Sequence, residues 1–255
     1  MNPNHTAAFH PLVHRSSFAF QSPLPGLQNR LLEALPAADH ALIARHLVSV
    51  DMERGRLLYD PGDRIDTVYF PVDGVISLVT LMQNGSAIES ATIGREGGLG
   101  LMAAVAPRQS LSRAIVQTPM RGLRMSAAQL HDAWEKSPAL RDLIDRHNEA
   151  LFGHTIQSVA CNALHPVEAR FCRWLLTCHD RISNDKVALT QEFLADMLGV
   201  QRTTVTAVAR SLQEKGAIRY RRGMVDIMDR GILEQLSCEC YGVIRNTYER
   251  LLPDS

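Results

Sequence analysis

Residues 190 to 210, TQEFLADMLGVQRTTVTAVAR, leave the backbone very few paths. Thr190 can cap a helix whose first turn holds Gln191, Glu192 and Phe193, and Gly199 can supply the left-handed residue that ends it sharply. A second helix then begins near Gln201. Counting Gln191 as the first position, Ala195 is fifth, Gly199 ninth and Val205 fifteenth. These supply a small residue where two helices cross, a turn glycine, and an apolar residue beneath the second helix. Each element is common alone, but together they are the spacing of a helix-turn-helix.

The start of the second helix carries Gln201, Arg202, Thr203, Thr204 and Thr206, with Arg210 two turns further on. A helix N-terminus attracts phosphate. Arg and Gln can pair bidentately with guanine or adenine edges, and Thr adds methyl or hydroxyl contacts. Lys215-Gly216-Ala217-Ile218 follows, and then Arg219 to Ile227 reads as a two-stranded wing with Arg221 and Arg222 at its tip. The whole chain is neutral, with 27 Lys+Arg against 27 Asp+Glu, so its total charge gives no hint of nucleic acid. Between Lys186 and Arg230, however, eight basic residues face five acids, a local net of +3. Double-stranded DNA is therefore the expected partner, with Gln201, Arg202, Thr203 and Thr206 on bases and Thr190, Arg221 and Arg222 on phosphates. Gln191, Thr204 and Arg210 complete the expected interface. A merely solvated helical face with scattered arginines is the alternative.

Upstream, the hydrophobic period changes twice. Residues 1–22 hold His5, His10 and His14 but no acid, and read as a flexible tail. Two short helices follow up to Leu47, Pro36 opening the second. From Arg56 to Met125 short strands (57–59, 67–70, 75–81, 90–93, 113–118 and 122–125) alternate with Pro61-Gly62-Asp63, Asp73-Gly74, Asn84-Gly85 and the Gly94 to Gly100 turn, which predicts an antiparallel roll. Pro138 opens a long helix that His165-Pro166 breaks after Leu164. One stripe of it, Leu140, Ile144, His147, Leu151, His154, Ser158 and Cys161, keeps a heptad rhythm and is expected to form a dimer seam. A second stripe, Phe152, Ile156, Val159 and Ala163, lies on another face; one stripe would pack on the chain's own domain and the other on a partner chain, giving a homodimer. His147 and His154 stand seven apart on the seam, either setting register or forming a pH- or haem-responsive pair. A C-terminal helix marked by Leu233, Leu236, Cys240, Val243 and Tyr248 is expected to brace the wing.

The fold class is thus α+β, with a flexible tail (1–22), a β-roll domain (23–137), a dimerisation helix (138–164), a winged helix-turn-helix (165–230) and a C-terminal bracing helix (231–255). In this order of elements the chain resembles the Crp-Fnr family of bacterial transcription regulators. The resemblance spans Leu27 to Ile227. It rests on Gly55, Leu58 and Gly62-Asp63; Val68-Tyr69-Phe70 with Gly74; Gly94-Arg95-Glu96-Gly97-Gly98-Leu99-Gly100; and Thr190 to Ala217. It implies a cyclic-nucleotide-binding-type roll that senses an effector, long helices that pair, and two recognition helices in successive major grooves of a palindromic operator. RNA polymerase is a further implied partner and the bacterial cytoplasm the implied location. The family's founder has Glu and Arg where this chain has Thr203 and Ala207, while Arg202 is retained, so a different operator is implied.

The effector region departs from the family's cyclic-nucleotide binders. Their Gly-Glu-Leu-Gly-Leu run gives the ribose a carboxylate and an Arg-Ser pair holds the phosphate; here the carboxylate position is Gly98 and the pair reads Ser112-Arg113. The implied effector-binding group is then Glu96, Gly97, Gly98, Leu99, Gly100, Ser112 and Arg113. Either the glycine amides and Arg113 cradle an anion with Glu96 replacing the ribose acceptor, or the turn is kept for backbone geometry alone. The five cysteines, Cys161, Cys172, Cys178, Cys238 and Cys240, come late, behind no secretory leader, and read as reduced cytosolic thiols without metal-site spacing. No metal and no iron–sulfur cluster is expected. Cys172 and Cys178 read as core residues and Cys238/Cys240 as a thiol pair without assigned role. An oxygenase-type metal enzyme is disfavoured, because no His or Cys lies between His46 and His131. No apolar run reaches the ~18 residues of a membrane span. An effector sensor that acts through a protein partner, with a vestigial DNA-binding head, is the remaining alternative.

Overall fold

The computed structural model describes residues 28–252. The expected tail, residues 1–22 with its histidines, lies outside them. Asn29 caps a short helix, α1 (Arg30–Glu33), and Pro36 precedes α2 (Ala37–Ala44). Seven strands then build the roll: β1 (Val48–Met52), β2 (Leu57–Tyr59), β3 (Thr67–Asp73), β4 (Ile76–Leu81), β5 (Ala87–Ile93), β6 (Arg113–Val116) and β7 (Met120–Ser126). They form two antiparallel sheets, ordered β1-β7-β3 and β2-β6-β4-β5. Gly74 between β3 and β4 has φ +117°, and a Cβ there would meet the Pro119 carbonyl at 2.7 Å, so only glycine fits this turn. Tyr59, Ile76, Ile93, Leu99, Val116 and Met120 fill the space between the sheets.

A capping box of Ser126 with Gln129 starts α3 (Ala127–Lys136), and Ser137 with Pro138 starts α4 (Pro138–Leu164). The head comprises α5 (Val167–His179), β8 (Lys186–Ala188), α6 (Gln191–Leu198), α7 (Arg202–Glu214), β9 (Ile218–Arg221), β10 (Met224–Ile227) and α8 (Arg230–Leu236), and α9 (Cys240–Leu251) closes the described chain. The head has its own core around Phe171, Trp174, Leu175, Leu194, Val205 and Leu212.

Two strands escape the period-two reading. In β1 the apolar residues are half-exposed and the strand follows a helix without a turn signal, while β8 is only three residues long and is defined by its ladder to β10. The C-terminal segment is corrected as well. Ser237 stops α8, so two helices stand where one was expected, and α9 braces not the wing but α4: Ile244, Tyr248 and Leu252 bury against the cluster of Leu140, Leu143, Ile144 and Ala150. Among the described residues no helix is long and apolar enough to cross a membrane.

Candidate nucleic-acid interface

The helix-turn-helix forms as its spacing requires. Thr190 caps α6 through its side chain, which accepts from the Phe193 amide at 3.2 Å. Gly199 adopts φ +61° and its amide returns to the α6 carbonyls, which turns the chain into Gln201 at the head of α7. Ala195, Val205 and Ala209 are buried where α6 and α7 cross. That burial fixes the rotation of α7, so Gln201, Arg202, Thr203, Thr206 and Arg210 face solvent on its outer side, with Thr204 half-exposed. The Thr206 hydroxyl shares its hydrogen bonding between the Gln191 side chain (3.1 Å) and the Arg202 carbonyl (3.0 Å), joining the two helices at the exposed face. Arg210 leans on Glu214 through an exposed pair of the kind that water screens, which leaves its charge available to another anion.

The wing stands beside this face. Arg221 pairs with Met224 across a two-residue turn in which Arg222 (φ 49°) and Gly223 (φ 77°) both take positive φ, as a tight hairpin demands. Both arginines are exposed. Behind them, the Leu189 amide donates to the Gly223 carbonyl at 2.7 Å and the Tyr220 hydroxyl donates to the Leu189 carbonyl at 3.0 Å, so the wing tip is anchored one residue from the Thr190 cap. A helix N-terminus, a row of Gln, Arg and Thr side chains, and a basic hairpin tip thus converge on one solvent-facing side.

The residues implied for an effector are not brought together. Arg113 forms a two-armed pair with Asp60 (both contacts 2.8 Å), and hydrogen bonding from Arg113 holds that carboxyl below the usual range. The Ser112 carbonyl accepts from the Ser110 hydroxyl at 2.7 Å. Glu96 turns away from the roll interior to Arg181, at the end of α5, at 2.5 Å; burial pushes its carboxyl up, but the Arg181 charge together with hydrogen bonds from Arg181 and the turn amides outweighs this and the net shift is downward. The Gly98 amide donates to His147 Nε2 of α4 at 3.3 Å, and a Cβ at Gly97 would lie 2.5 Å from the same nitrogen. The Leu99 amide and carbonyl pair with Tyr69, and Gly100 (φ 86°) enters a 3-10 turn, Leu101–Ala104. Three features depart from a cyclic-nucleotide cradle: Gly98 has no side chain to accept from a ribose, Arg113 is paired with Asp60, and the Gly98 amide is engaged by His147. A cleft of about 230 Å³ does open beside the turn, but between Arg95, Glu96, Asp180, Arg181, Arg245 and Tyr248, outside the roll.

The proposed seam is corrected. Leu140, Ile144, His147, His154, Ser158 and Cys161 are all buried within the single chain and Leu151 is half-buried against the roll core, so this stripe meets the chain's own roll and α9. Heptad rhythm reports a buried stripe but not whose surface buries it. His147 is 1% exposed and burial holds it down at about 4; His154, 2% exposed and edge-on to Tyr248, is held well below its ordinary value by burial and by Arg181 and Arg173. Both are therefore neutral within their own chain, not a pair across a seam. The second stripe is the open one: Phe152 is 67%, Ile156 54% and Val159 67% exposed.

Cysteines distant in sequence also converge. Cys172 and Cys178 sit in the head core as expected. Cys161, His165, Cys238 and Cys240, however, place their ligand atoms within 4.8 Å of one another. Linear spacing hid this, because the two halves of the cluster are joined only when α9 folds back along α4.

Comparison with known proteins bears on both halves. Residues 49–137 match the cyclic nucleotide-binding domain family and residues 169–236 the Crp-like helix-turn-helix domain. A global nitrogen regulator of Nostoc sp. is 24% identical over 185 residues, covering 69% of this chain and 82% of that protein. A CRP-like cAMP-activated global transcriptional regulator of Mycobacterium tuberculosis is 22% identical, over 74% of this chain and 88% of its own. Among solved structures, FixK2 from Bradyrhizobium japonicum superposes with a TM-score of 0.64 at 16% identity, covering 75% of this chain and 98% of that one. The c-di-GMP responsive regulator CLP of Xanthomonas campestris gives 0.58 at 17% identity, over 76% and 100% of the two chains. These structural likenesses establish the shared fold.

Proposed function

We propose that the chain, whose residues 49–137 and 169–236 match the cyclic nucleotide-binding and Crp-like helix-turn-helix domains, is a transcription regulator of the Crp-Fnr family that binds a specific palindromic site in double-stranded DNA as a homodimer, without catalysing a reaction. One observation supports this reading above the rest: the exposed row of Gln201, Arg202, Thr203 and Thr206 lies on a helix whose rotation is fixed by buried Ala195 and Val205, next to the Arg221-Arg222 hairpin tip. Arg202, with Gln201, reads base edges, and Thr203 and Thr206 add shorter contacts. Thr190, Arg221 and Arg222 hold phosphates, with Gln191, Thr204 and Arg210 at the margin. The exposed stripe of α4 pairs the two chains, which sets the distance between heads. Acting on a bacterial genome, the protein works in the cytoplasm, and RNA polymerase is the partner through which a bound regulator of this family would act.

The roll is the sensing unit in this reading, but not for a cyclic nucleotide held in the family's manner, since Gly98, Glu96 and Arg113 are unavailable to one. A change at the roll would reach the head through α4 and through the ties of Glu96 and Thr92 to Arg181.

The test is selection of bound DNA from a random pool, followed by titration of Arg202→Ala against the selected site. A loss of about 1–3 kcal/mol with relaxed preference at one base position is expected. Affinity should also fall steeply with salt in proportion to the phosphates neutralised. A variant that binds as tightly and as selectively as the parent refutes the assignment of α7 as the reading helix. Absence of salt-dependent DNA binding would favour a protein partner instead.

A further inference from the structure

The last turn of α4 and the entry to α9 meet around Cys161, His165, Cys238 and Cys240. Cys161 Sγ lies 3.5 Å from Cys238 Sγ, and Cys240 Sγ lies 3.4 Å from His165 Nδ1. The three cysteines are buried and the histidine is half-buried. The geometry points to a tetrahedral Cys3His binding site for a single zinc ion at the joint between the long helix and the head.

The distances are those such an ion needs. Sulfur ligands at about 2.3 Å and a nitrogen at about 2.0–2.1 Å from a tetrahedral zinc stand about 3.8 Å apart (sulfur to sulfur) and about 3.6 Å apart (sulfur to nitrogen). The observed 3.5 and 3.4 Å fall just inside these values, and all four donor atoms lie within 4.8 Å. Rotamer adjustments of up to about 1 Å at the ligand atoms complete the tetrahedron. An iron–sulfur cluster, with its several irons and bridging sulfides, needs a wider spread of ligand atoms. Three thiolates and an imidazole are the ligand set of structural zinc, and oxygen-preferring ions are excluded by the absence of an oxygen donor among the four.

The surroundings are built for the same task. His165 turns Nδ1 to the cluster while Nε2 donates to the Glu239 carboxylate at 3.1 Å, the carboxylate–histidine arrangement that fixes the tautomer of a metal-bound imidazole. Gln157 donates from Nε2 to Cys240 Sγ at 3.0 Å, a bond that suits a thiolate. Zinc with three thiolates carries one net negative charge. The buried guanidinium groups of Arg170 and Arg173 lie close enough to interact with Cys161, and each has an Nε without a hydrogen-bond partner among the described residues. Binding would release the thiol protons and nothing else, so no oxidant or reductant is required. The two halves of the site are Cys161-x3-His165 and Cys238-x-Cys240, so occupancy ties the chain beyond the head back onto the dimerisation helix.

The test uses the full-length protein, reduced with a phosphine, loaded with zinc and passed over a chelating resin. Elemental analysis should give about one zinc per chain, and X-ray absorption should fit three sulfurs and one nitrogen. Cobalt(II) in place of zinc should give intense tetrahedral bands with thiolate charge transfer. Cys238→Ser combined with Cys240→Ser should lower retained metal at least tenfold, whereas Cys172→Ala, in the head core, should retain it. The wild-type cobalt and absorption spectra decide the matter even if the double variant fails to fold. A reduced protein that retains no stoichiometric zinc or cobalt overturns the proposal, as does metal that survives the double substitution. So does a Cys161–Cys238 disulfide with no metal bound after its reduction.

Discussion

Replacing Ile156 by Glu tests the proposal that the exposed face of α4 joins two chains. Phe152, Ile156 and Val159 are 67, 54 and 67% exposed and follow one another at spacings of four and three. Fully burying such a side chain is worth about 1.5–3 kcal/mol, so the exposed fraction of each contributes roughly 1–2. A twofold axis doubles the three, giving about 6–12 kcal/mol before the cost of association, which is of the same order. A dimer on this margin is sensitive to one residue. Ile156→Glu removes about 2–3 kcal/mol of burial from the pair and brings two carboxylates together near the axis, for a loss above roughly 4 kcal/mol, or about a thousandfold in self-association. Sedimentation velocity across a concentration series reads this directly. Leu111→Glu, at a site 97% exposed on the roll, serves as the matched control and should leave the dimer intact. Circular dichroism should be unchanged, because the Ile156 side chain supports no intrachain core. If Ile156→Glu dimerises as tightly as the parent, the partner face lies elsewhere and the reasoning from exposure fails.

Other perturbations probe the joint between roll and head. Glu89 is fully enclosed, accepting from Ser77 (2.5 Å) and from the Trp174 indole (2.9 Å), and burial pushes its carboxyl from 4.5 up to about 7. The folded state therefore binds this proton more tightly than the unfolded one, so stability should be greatest below pH 4.5 as far as this group is concerned and decline by about 3 kcal/mol as pH rises through 7. Glu89→Gln should flatten that decline in denaturant titrations at several pH values; an unchanged slope assigns it to another group. Arg181→Leu leaves Glu96 buried without its counter-charge and should cost about 3–5 kcal/mol, measured by urea unfolding. A loss under 1 kcal/mol would mean the pair is not enclosed in solution. Gly97→Ala should destabilise by about 1–3 kcal/mol through its contact with His147 Nε2 at 2.5 Å, and the penalty should shrink in a His147→Ala background. Additive effects would deny that contact.

Where a structural feature is written in consecutive residues, the chain shows it before folding. Pro138 and His165-Pro166 delimit α4, Gly199 ends α6, and the positions of Ala195 and Val205 fix how α7 presents Arg202. Each is a local backbone or periodicity rule. What escaped was pairing at long range. The stripe from Leu140 to Cys161 has a heptad rhythm whichever surface covers it, and only the return of α9 along α4 shows that the cover is intrachain. For the same reason Cys161 and Cys238, 77 residues apart, give no metal-site spacing on paper and stand 3.5 Å apart in space.

The departures in the glycine-rich turn take on a physical sense from the same long-range contacts. Gly98 in place of a carboxylate leaves its amide for His147 of α4, and Glu96, one turn of backbone away, reaches Arg181 of the head, which also holds Thr92. Arg113, the remaining candidate for an anion, is neutralised by Asp60 within the roll. The turn therefore joins roll, long helix and head through the chain's own side chains. With Glu96 and Arg181 both buried, a shift of the head that parts them while the joint stays closed to water would leave two unpaired charges inside, a cost of several kcal/mol that a small ligand could offset by supplying counter-charges of its own. Any effector that shifts the head must then either compete for Arg181 or act where the joint is less tightly tied, at α9 and the end of α4.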